Sequence, residues 1–237
     1  MTEGILPDRG LSIDSGDVRF RISRSAIQSN VRTAAAAMPG GVADLRRDAR
    51  GHGVDLVGAA LLDAGITRAV VDPADAPAMR RRGFDVVDVV PTLDAGLVIG
   101  LPGTGGTPAG SMVSAIASTK ILRAGEGVSY GYTHRATADT RIALVPGGYA
   151  NGVVRKLGNA AEVSIGGTRH RIIGRVAMDV FVIDLGESPA APGDEVVLFG
   201  DPARDEPSLA EWVGITGMTA GELALAAAVR VRHEVIA

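Results

Sequence analysis

The sequence predicts two parts, an α/β part followed by a part made mostly of antiparallel β-strands. Patterns typical of strands and helices alternate along residues 18–90, which predicts β/α units around a parallel sheet. After residue 110, short strand patterns recur between turns, which predicts antiparallel pairing. The composition agrees with a packed α/β protein, because 46% of the 237 residues are hydrophobic while only 3% are aromatic.

The first part begins with the alternating segment Val18–Ile22, whose apolar residues share one face of a predicted strand. We also expect this strand to pair with the second part. Ser23 or Ser25 is suited to cap a helix that runs to Met38, ahead of Pro39. Two more helices and two more strands are predicted here: helices over 54–64 and 74–82, and strands over 69–71 and 86–90.

The glycine- and proline-rich segment 101–110 has the composition of a linker. Six strands are predicted beyond it, over 112–119, 141–146, 161–166, 169–176, 180–185 and 195–199. Two capping boxes follow, Ser208 with Glu211 and Thr219 with Glu222, and the second opens a helix to Val229.

Composition and charge exclude several classes of function. The net charge of −3 offers no electrostatic basis for binding nucleic acid, and without cysteine there are no disulfides. No spacing of His, Asp or Glu suggests a metal site. We expect no membrane association and a cytoplasmic location, because the sequence has neither a long apolar run nor a secretory signal.

Three short blocks resemble the C-terminal domain of alanine racemase: Val-Ser-Tyr-Gly at 128–131, Gly-Tyr-Ala-Asn-Gly at 148–152 and Gly-Arg-Val-Ala-Met-Asp at 174–179. Residues 21–32 and 45–53 resemble the start of that family more weakly. The resemblance implies a TIM-barrel-like β/α domain followed by a β-domain. Because a complete barrel takes about 250 residues, we expect residues 17–105 to be a truncated barrel and residues 111–237 to be the β-domain.

The resemblance also assigns roles in the second part. Tyr130 matches the tyrosine that serves as a catalytic acid and base, and Met178 matches the residue whose backbone N–H meets the substrate carboxylate. The remaining matches surround the channel to the active site: Tyr149, Arg155, Arg175 and Asp179. Both site tyrosines are also consistent with a structural role, as rings that pack at strand ends.

The first part departs from the family where the cofactor pyridoxal phosphate (PLP) would attach. Arg46 occupies the position of the lysine that forms the Schiff base, and Asp94 is nearest to the arginine that bonds the pyridine nitrogen. A guanidinium stays protonated and cannot replace the amine nucleophile. We therefore expect no cofactor, and PLP only if the family activity is retained. The lysines of the chain, Lys120 and Lys156, lie outside the first part.

Three hypotheses for function follow. The favoured one is a truncated alanine-racemase homologue without racemase activity, which acts as a dimeric binding or structural protein. In the family, each β-domain presents its tyrosine to the partner's barrel, so the chain could instead lend Tyr130 and Met178 to a full-length racemase. The third is an active racemase that interconverts L- and D-alanine with PLP. His52, which follows Gly51, is expected to be a loop residue without a role.

Overall fold

The computed structural model of the protein describes residues 18–237. The polar lead-in expected over residues 1–16, and residue 17 at the expected start of the first domain, lie outside this range. The first part contains these elements in order: β1 (Arg19–Ser23), α1 (Arg24–Ala37), β2 (Val42–Asp44), α2 (Val54–Asp63), β3 (Arg68–Val70), α3 (Ala76–Arg81), β4 (Asp85–Val86) and α4 (Ala95–Ile99).

Strands β2, β3 and β4 form a three-stranded parallel sheet in that order, which confirms the predicted β/α units. The free edge of β2 is covered by the segment after β4, because Thr92 and Leu93 both donate their backbone N–H to the carbonyl of Val42, at 3.0 Å. Strand β4 forms the other edge of the sheet. Of the strand predicted over 86–90, only Val86 belongs to it. Val90 is 83% exposed.

The second part contributes most of a nine-stranded sheet and two helices. Its elements are β5 (Gly110–Ala115), β6 (Ser118–Leu122), β7 (Gly127–Val128), β8 (His134–Arg135), β9 (Thr140–Pro146), β10 (Glu162–Ile165), β11 (Thr168–Ile173), β12 (Val180–Asp184), β13 (Glu195–Phe199), α5 (Leu209–Thr216), α6 (Ala220–Ala228) and β14 (Arg232–Ile236). The order in the sheet is β14-β1-β5-β13-β10-β11-β12-β9-β6, and only β14 and β1 are parallel neighbours.

Strand β1 lies inside this large sheet, between β5 and β14, which confirms the expected pairing with the second part. The alternation of apolar and polar residues along β1 determines which face of the strand is buried, since Phe20 and Ile22 lie in the core. On the opposite face, Arg21 pairs with Glu195 of β13 and Glu234 of β14. The first strand is therefore held by the last one through the backbone and through side chains.

Most buried apolar residues of the described range form one large hydrophobic core with side chains from both parts of the chain, and a smaller separate cluster surrounds Leu122, Val128 and Ile142. Aromatic rings mark its centre: the rings of Phe199 and Trp212 meet edge-on at 4.9 Å between centroids, and Phe20 lies 6.4 Å from Phe199. Helices α5 and α6 close this side of the sheet. Both of their predicted capping boxes are present.

Several elements differ from the predictions. The strand expected over 112–119 is two strands, which are separated at Ile116 and Ala117. The N–H of Ile116 donates to the carbonyl of Asp194, whereas the N–H of Ala117 donates to the carbonyl of Leu144. Helix α4 and the strands β2, β7, β8 and β14 have no predicted counterpart. No helix within residues 18–237 combines the length and apolar character needed to cross a membrane.

Candidate functional site

The second and third sequence blocks meet through backbone hydrogen bonds. The N–H groups of Gly147, Tyr149 and Ala150 donate to the carbonyls of Asp179, Ala177 and Met178, at 2.8, 3.0 and 3.0 Å. This ladder joins the loop after β9 to the loop before β12. It fixes the backbone on which Tyr149 and Met178 are displayed.

Glycine makes this contact possible at position 148. A Cβ atom on Gly148 would lie 2.0 Å from the carbonyl oxygen of Met178, which is far closer than any real contact. At the other end of the loop, Gly152 has a φ of 90° and faces the backbone of Ala226 in α6. The two glycines of this block thus allow close backbone approach, and Gly152 also supplies the left-handed turn.

Asn159 ties the segment just after the first block to the third block. Its side-chain oxygen accepts a 2.6 Å hydrogen bond from the N–H of Gly174, and its side-chain nitrogen donates to Thr133 at 3.0 Å. The guanidinium carbon of Arg175 lies 3.6 Å from where a Cβ of Gly131 would be. All three blocks therefore form one connected set of loops.

The side chains singled out by the sequence lie on the surface of these loops. Tyr130 is 70% exposed, Met178 is 53% exposed and Tyr149 is 36% exposed. The guanidinium of Arg155 lies 4.7 Å from the centre of the Tyr149 ring, a cation–π contact. We call the exposed set the tyrosine surface; its members are Tyr130, Tyr149, Arg155, Arg175, Met178 and Asp179.

Arg46 lies in the first part and is held by an acid. Its Nε and one terminal nitrogen donate to the two carboxylate oxygens of Asp44, at 2.8 and 2.9 Å. The hydrogen bond to Asp44 raises the pKa of Arg46. Partial burial opposes ionisation of Asp44, but the hydrogen bonds from Arg46 outweigh it and lower the pKa of the carboxyl. The guanidinium is thus charged and paired.

The turn Arg46–Gly51 is left-handed, which the sequence did not predict. Four consecutive residues, Arg47 to Arg50, have φ between 50° and 56°. Side chains disfavour this conformation by roughly 1–2 kcal/mol per residue, so the surroundings must hold it. Helix α6 does so in part, because a Cβ on Gly51 would lie 2.4 Å from that of Ala228.

The remaining polar candidates of the first part have structural partners. Asp94 caps α4, accepting hydrogen bonds from the N–H groups of Gly96 and Leu97 at 2.8 and 3.0 Å. His52 is a loop residue, as expected, but it is 2% exposed and packs edge-on against Phe20 with 5.2 Å between ring centres.

The two lysines lie in the second part of the chain. Lys156 donates to the carbonyl of Thr216 at 3.1 Å, and Lys120 lies exposed on β6. Within residues 18–237, no group of three or more His, Cys, Asp or Glu side chains is arranged to hold a metal.

Comparison with known proteins identifies the second part. Residues 109–235, more than half of the chain, match the family model described as alanine racemase, C-terminal domain. The chain is 49% identical to the alanine racemase of Mycobacterium leprae over 112 residues, covering 46% of this chain and 29% of that protein. It is 39% identical to the alanine racemase of Mycobacterium avium over 176 residues, covering 73% and 43%. The chain thus matches less than half of the length of these relatives.

Solved structures resemble the whole described fold. An alanine racemase from Streptomyces coelicolor superposes with a TM-score of 0.78 at 19% identity, covering 96% of this chain and 100% of that one. The alanine racemase from E. faecalis gives 0.80 at 19% identity, covering 93% and 98%. At these identities the likeness shows the fold alone. Together with the family match over more than half of its length, it establishes that this chain belongs to the alanine racemase family.

Proposed function

We propose that this protein is a family member with a shortened barrel that does not racemise alanine by itself, and that it acts as a dimeric binding or structural protein. The pairing of Arg46 with Asp44 carries the proposal. By the resemblance, Arg46 occupies the family position of the PLP lysine, and its charged guanidinium makes two hydrogen bonds to Asp44.

The chemistry of PLP attachment requires a neutral amine that can attack an aldehyde. A guanidinium has no such lone pair at physiological pH, and its ion pair with Asp44 makes loss of a proton still harder. The ammonium of Lys156 donates a hydrogen bond to the carbonyl of Thr216, the last residue of α5. The residues near Arg46 therefore do not fit covalently attached PLP, and we derive no catalytic step through it.

The short parallel sheet supports the idea of a truncated barrel. Only three strands are present in it, whereas a barrel closes with eight. The apolar residues Val89 and Val90 lie in the segment that leads from β4 to the contact of Thr92 with β2, and they are 47% and 83% exposed. An uncovered parallel edge such as that of β4, and exposed apolar side chains beside the sheet, are costly in water, so we propose that a second copy of the chain covers both.

Spectroscopy tests the loss of activity. Purified protein mixed with PLP should show no visible aldimine band that borohydride removes, and alanine in heavy water should keep its α-proton. Arg46→Lys is the matched variant. We expect it to remain inactive, because the shortened barrel by itself also prevents racemisation. Borohydride-sensitive absorbance together with α-proton exchange by the unaltered protein would refute the proposal.

Analytical ultracentrifugation tests the dimer separately. We expect a sedimentation coefficient for two chains at micromolar concentration, and a shift toward one chain when Val90 is replaced by Asp. Ala59→Asp, on the exposed side of α2, is the control. A monomer at all concentrations would exclude the homodimer without restoring the case for catalysis.

A second candidate function rests on the tyrosine surface. Tyr130 is 70% exposed on loops that are anchored to the β-domain, so it is available to another chain. The protein would then lend Tyr130 to the barrel of a full-length racemase. Co-purification with such an enzyme should occur, and Tyr130→Phe should lower the activity of the mixed complex more than Tyr132→Phe, since Tyr132 is a nearby exposed tyrosine outside the matched set. If the two proteins do not associate, this candidate fails.

A further inference from the structure

A cavity of about 410 Å³ lies between the glycine-rich linker, α5 and the β1 end of the large sheet. Its size is within the range of small-molecule sites. Its described walls are mostly apolar and contain no charged side chain, with Phe20, Leu101, Phe199 and Leu209 as the large contributors. A charged ligand such as a free amino acid would lose its hydration there without gaining an ionic partner.

His52 is the polar side chain of these walls that is available to a ligand. The other one, Ser208, already bonds within its capping box, where its hydroxyl contacts both the backbone and the carboxylate of Glu211. The Nδ1 of His52 lies 3.2 Å from the carbonyl oxygen of Arg50. A carbonyl only accepts, so Nδ1 carries the hydrogen and Nε2 holds a free lone pair.

The absence of a side chain at Gly110 lets Nε2 of His52 lie close to this wall of the cavity. A Cβ on Gly110 would lie 2.8 Å from Nε2 of His52, and Gly110 is itself part of the cavity wall. Residues 18–237 provide no hydrogen-bond partner for Nε2. Burial lowers the pKa of His52 to about 4, so the ring is neutral at physiological pH and Nε2 accepts rather than donates.

We propose that this cavity binds a small, neutral, largely apolar aromatic molecule with one hydrogen-bond donor, which is received by Nε2 of His52. The apolar walls supply the affinity by burying the rings. The single acceptor selects for the donor, because a buried acceptor left unpaired is unfavourable. This site is separate from the tyrosine surface and from Arg46, and the proposal does not depend on the function proposed above.

Indole and 1-benzothiophene test the hydrogen bond directly. They share a two-ring shape, but only indole has an N–H. Titration calorimetry on the whole protein at pH 7 should give about tenfold tighter binding for indole, the effect of one ordinary hydrogen bond. In His52→Phe this preference should vanish. Equal affinities in the unaltered protein, or no binding of either compound, would overturn the proposal.

A second variant tests whether the ligand binds in the cavity without altering the buried histidine. Ala210 is an exposed residue of α5 at the cavity wall, so Ala210→Trp should fold and should weaken the binding of both compounds at least tenfold. Ala59→Trp, exposed on α2 and outside the cavity, should bind both as the unaltered protein does. Unchanged binding in Ala210→Trp would also overturn the site, even if His52→Phe does not fold.

Discussion

Lowering the pH from 7 to 5 should destabilise the protein through His52 alone by about 2 kcal/mol. Burial lowers the pKa of this residue from 6.5 to about 4, and the nearby His233 adds to the effect. At a pH between these two pKa values, the histidine of the unfolded chain binds a proton that the folded protein excludes. Stability therefore falls as the pH falls. At 1.36 kcal/mol per pKa unit, the loss approaches about 3 kcal/mol below pH 4.

Urea denaturation at pH 7, 6 and 5, followed by the fluorescence of the buried Trp212, measures this loss. Carboxylates titrate over part of the same range, so the comparison is with His52→Gln, which keeps a polar side chain but cannot titrate. The variant is expected to have a lower stability at pH 7 and a flatter pH dependence. If the two proteins lose the same free energy of unfolding between pH 7 and 5, within about 0.5 kcal/mol, His52 is not buried and neutral as described.

Three further substitutions probe the scaffold by equilibrium unfolding. Gly148→Ala should cost at least about 2 kcal/mol, because its Cβ would overlap a backbone carbonyl that cannot rotate away; a neutral effect would mean that this loop is not held against Met178. Ser208→Ala should cost about 1 kcal/mol by removing the cap of α5, whereas Ser188→Ala, away from any helix, should cost less, and equal losses would contradict the capping role. Phe20→Ala should cost about 3–5 kcal/mol, since Phe20 is fully buried between the large sheet and His52; a loss below about 1 kcal/mol would contradict its central place in the core.

The strongest sequence patterns predicted the fold where side chains alternate between core and water. Val18 to Ile22 is such a segment, and its burial follows the pattern of the residues. Strand β14 lacks this signal, because it is an edge strand on which four of five side chains are exposed. The left-handed turn was also unpredictable, because Arg and Ala disfavour positive φ, and a single Asp, which tolerates it, does not indicate a run of four such residues.

Prediction of the site depended on family resemblance more than on physical pattern. Nothing in the spacing of Tyr130, Tyr149 and Met178 reveals that their loops are joined, since the joining bonds involve backbone atoms and Asn159. Asn159, with a φ of 61°, carried no signal in the sequence beyond the tolerance of asparagine for that conformation. The roles of the tyrosine surface stay predictions. The burial of His52 could not be read from its glycine-flanked position.

The placement of β1 between β14 and β5 has a consequence for synthesis. Of the described strands, β1 leaves the ribosome first and β14 last, and the side chains of Arg21 and Glu234 meet across 213 residues of sequence. The large sheet can therefore close only after the α/β segment and all the other strands have emerged. Contacts of such separation slow folding. A cut within the linker would leave neither fragment with a finished sheet, since one would hold β1 and the other both of its neighbours.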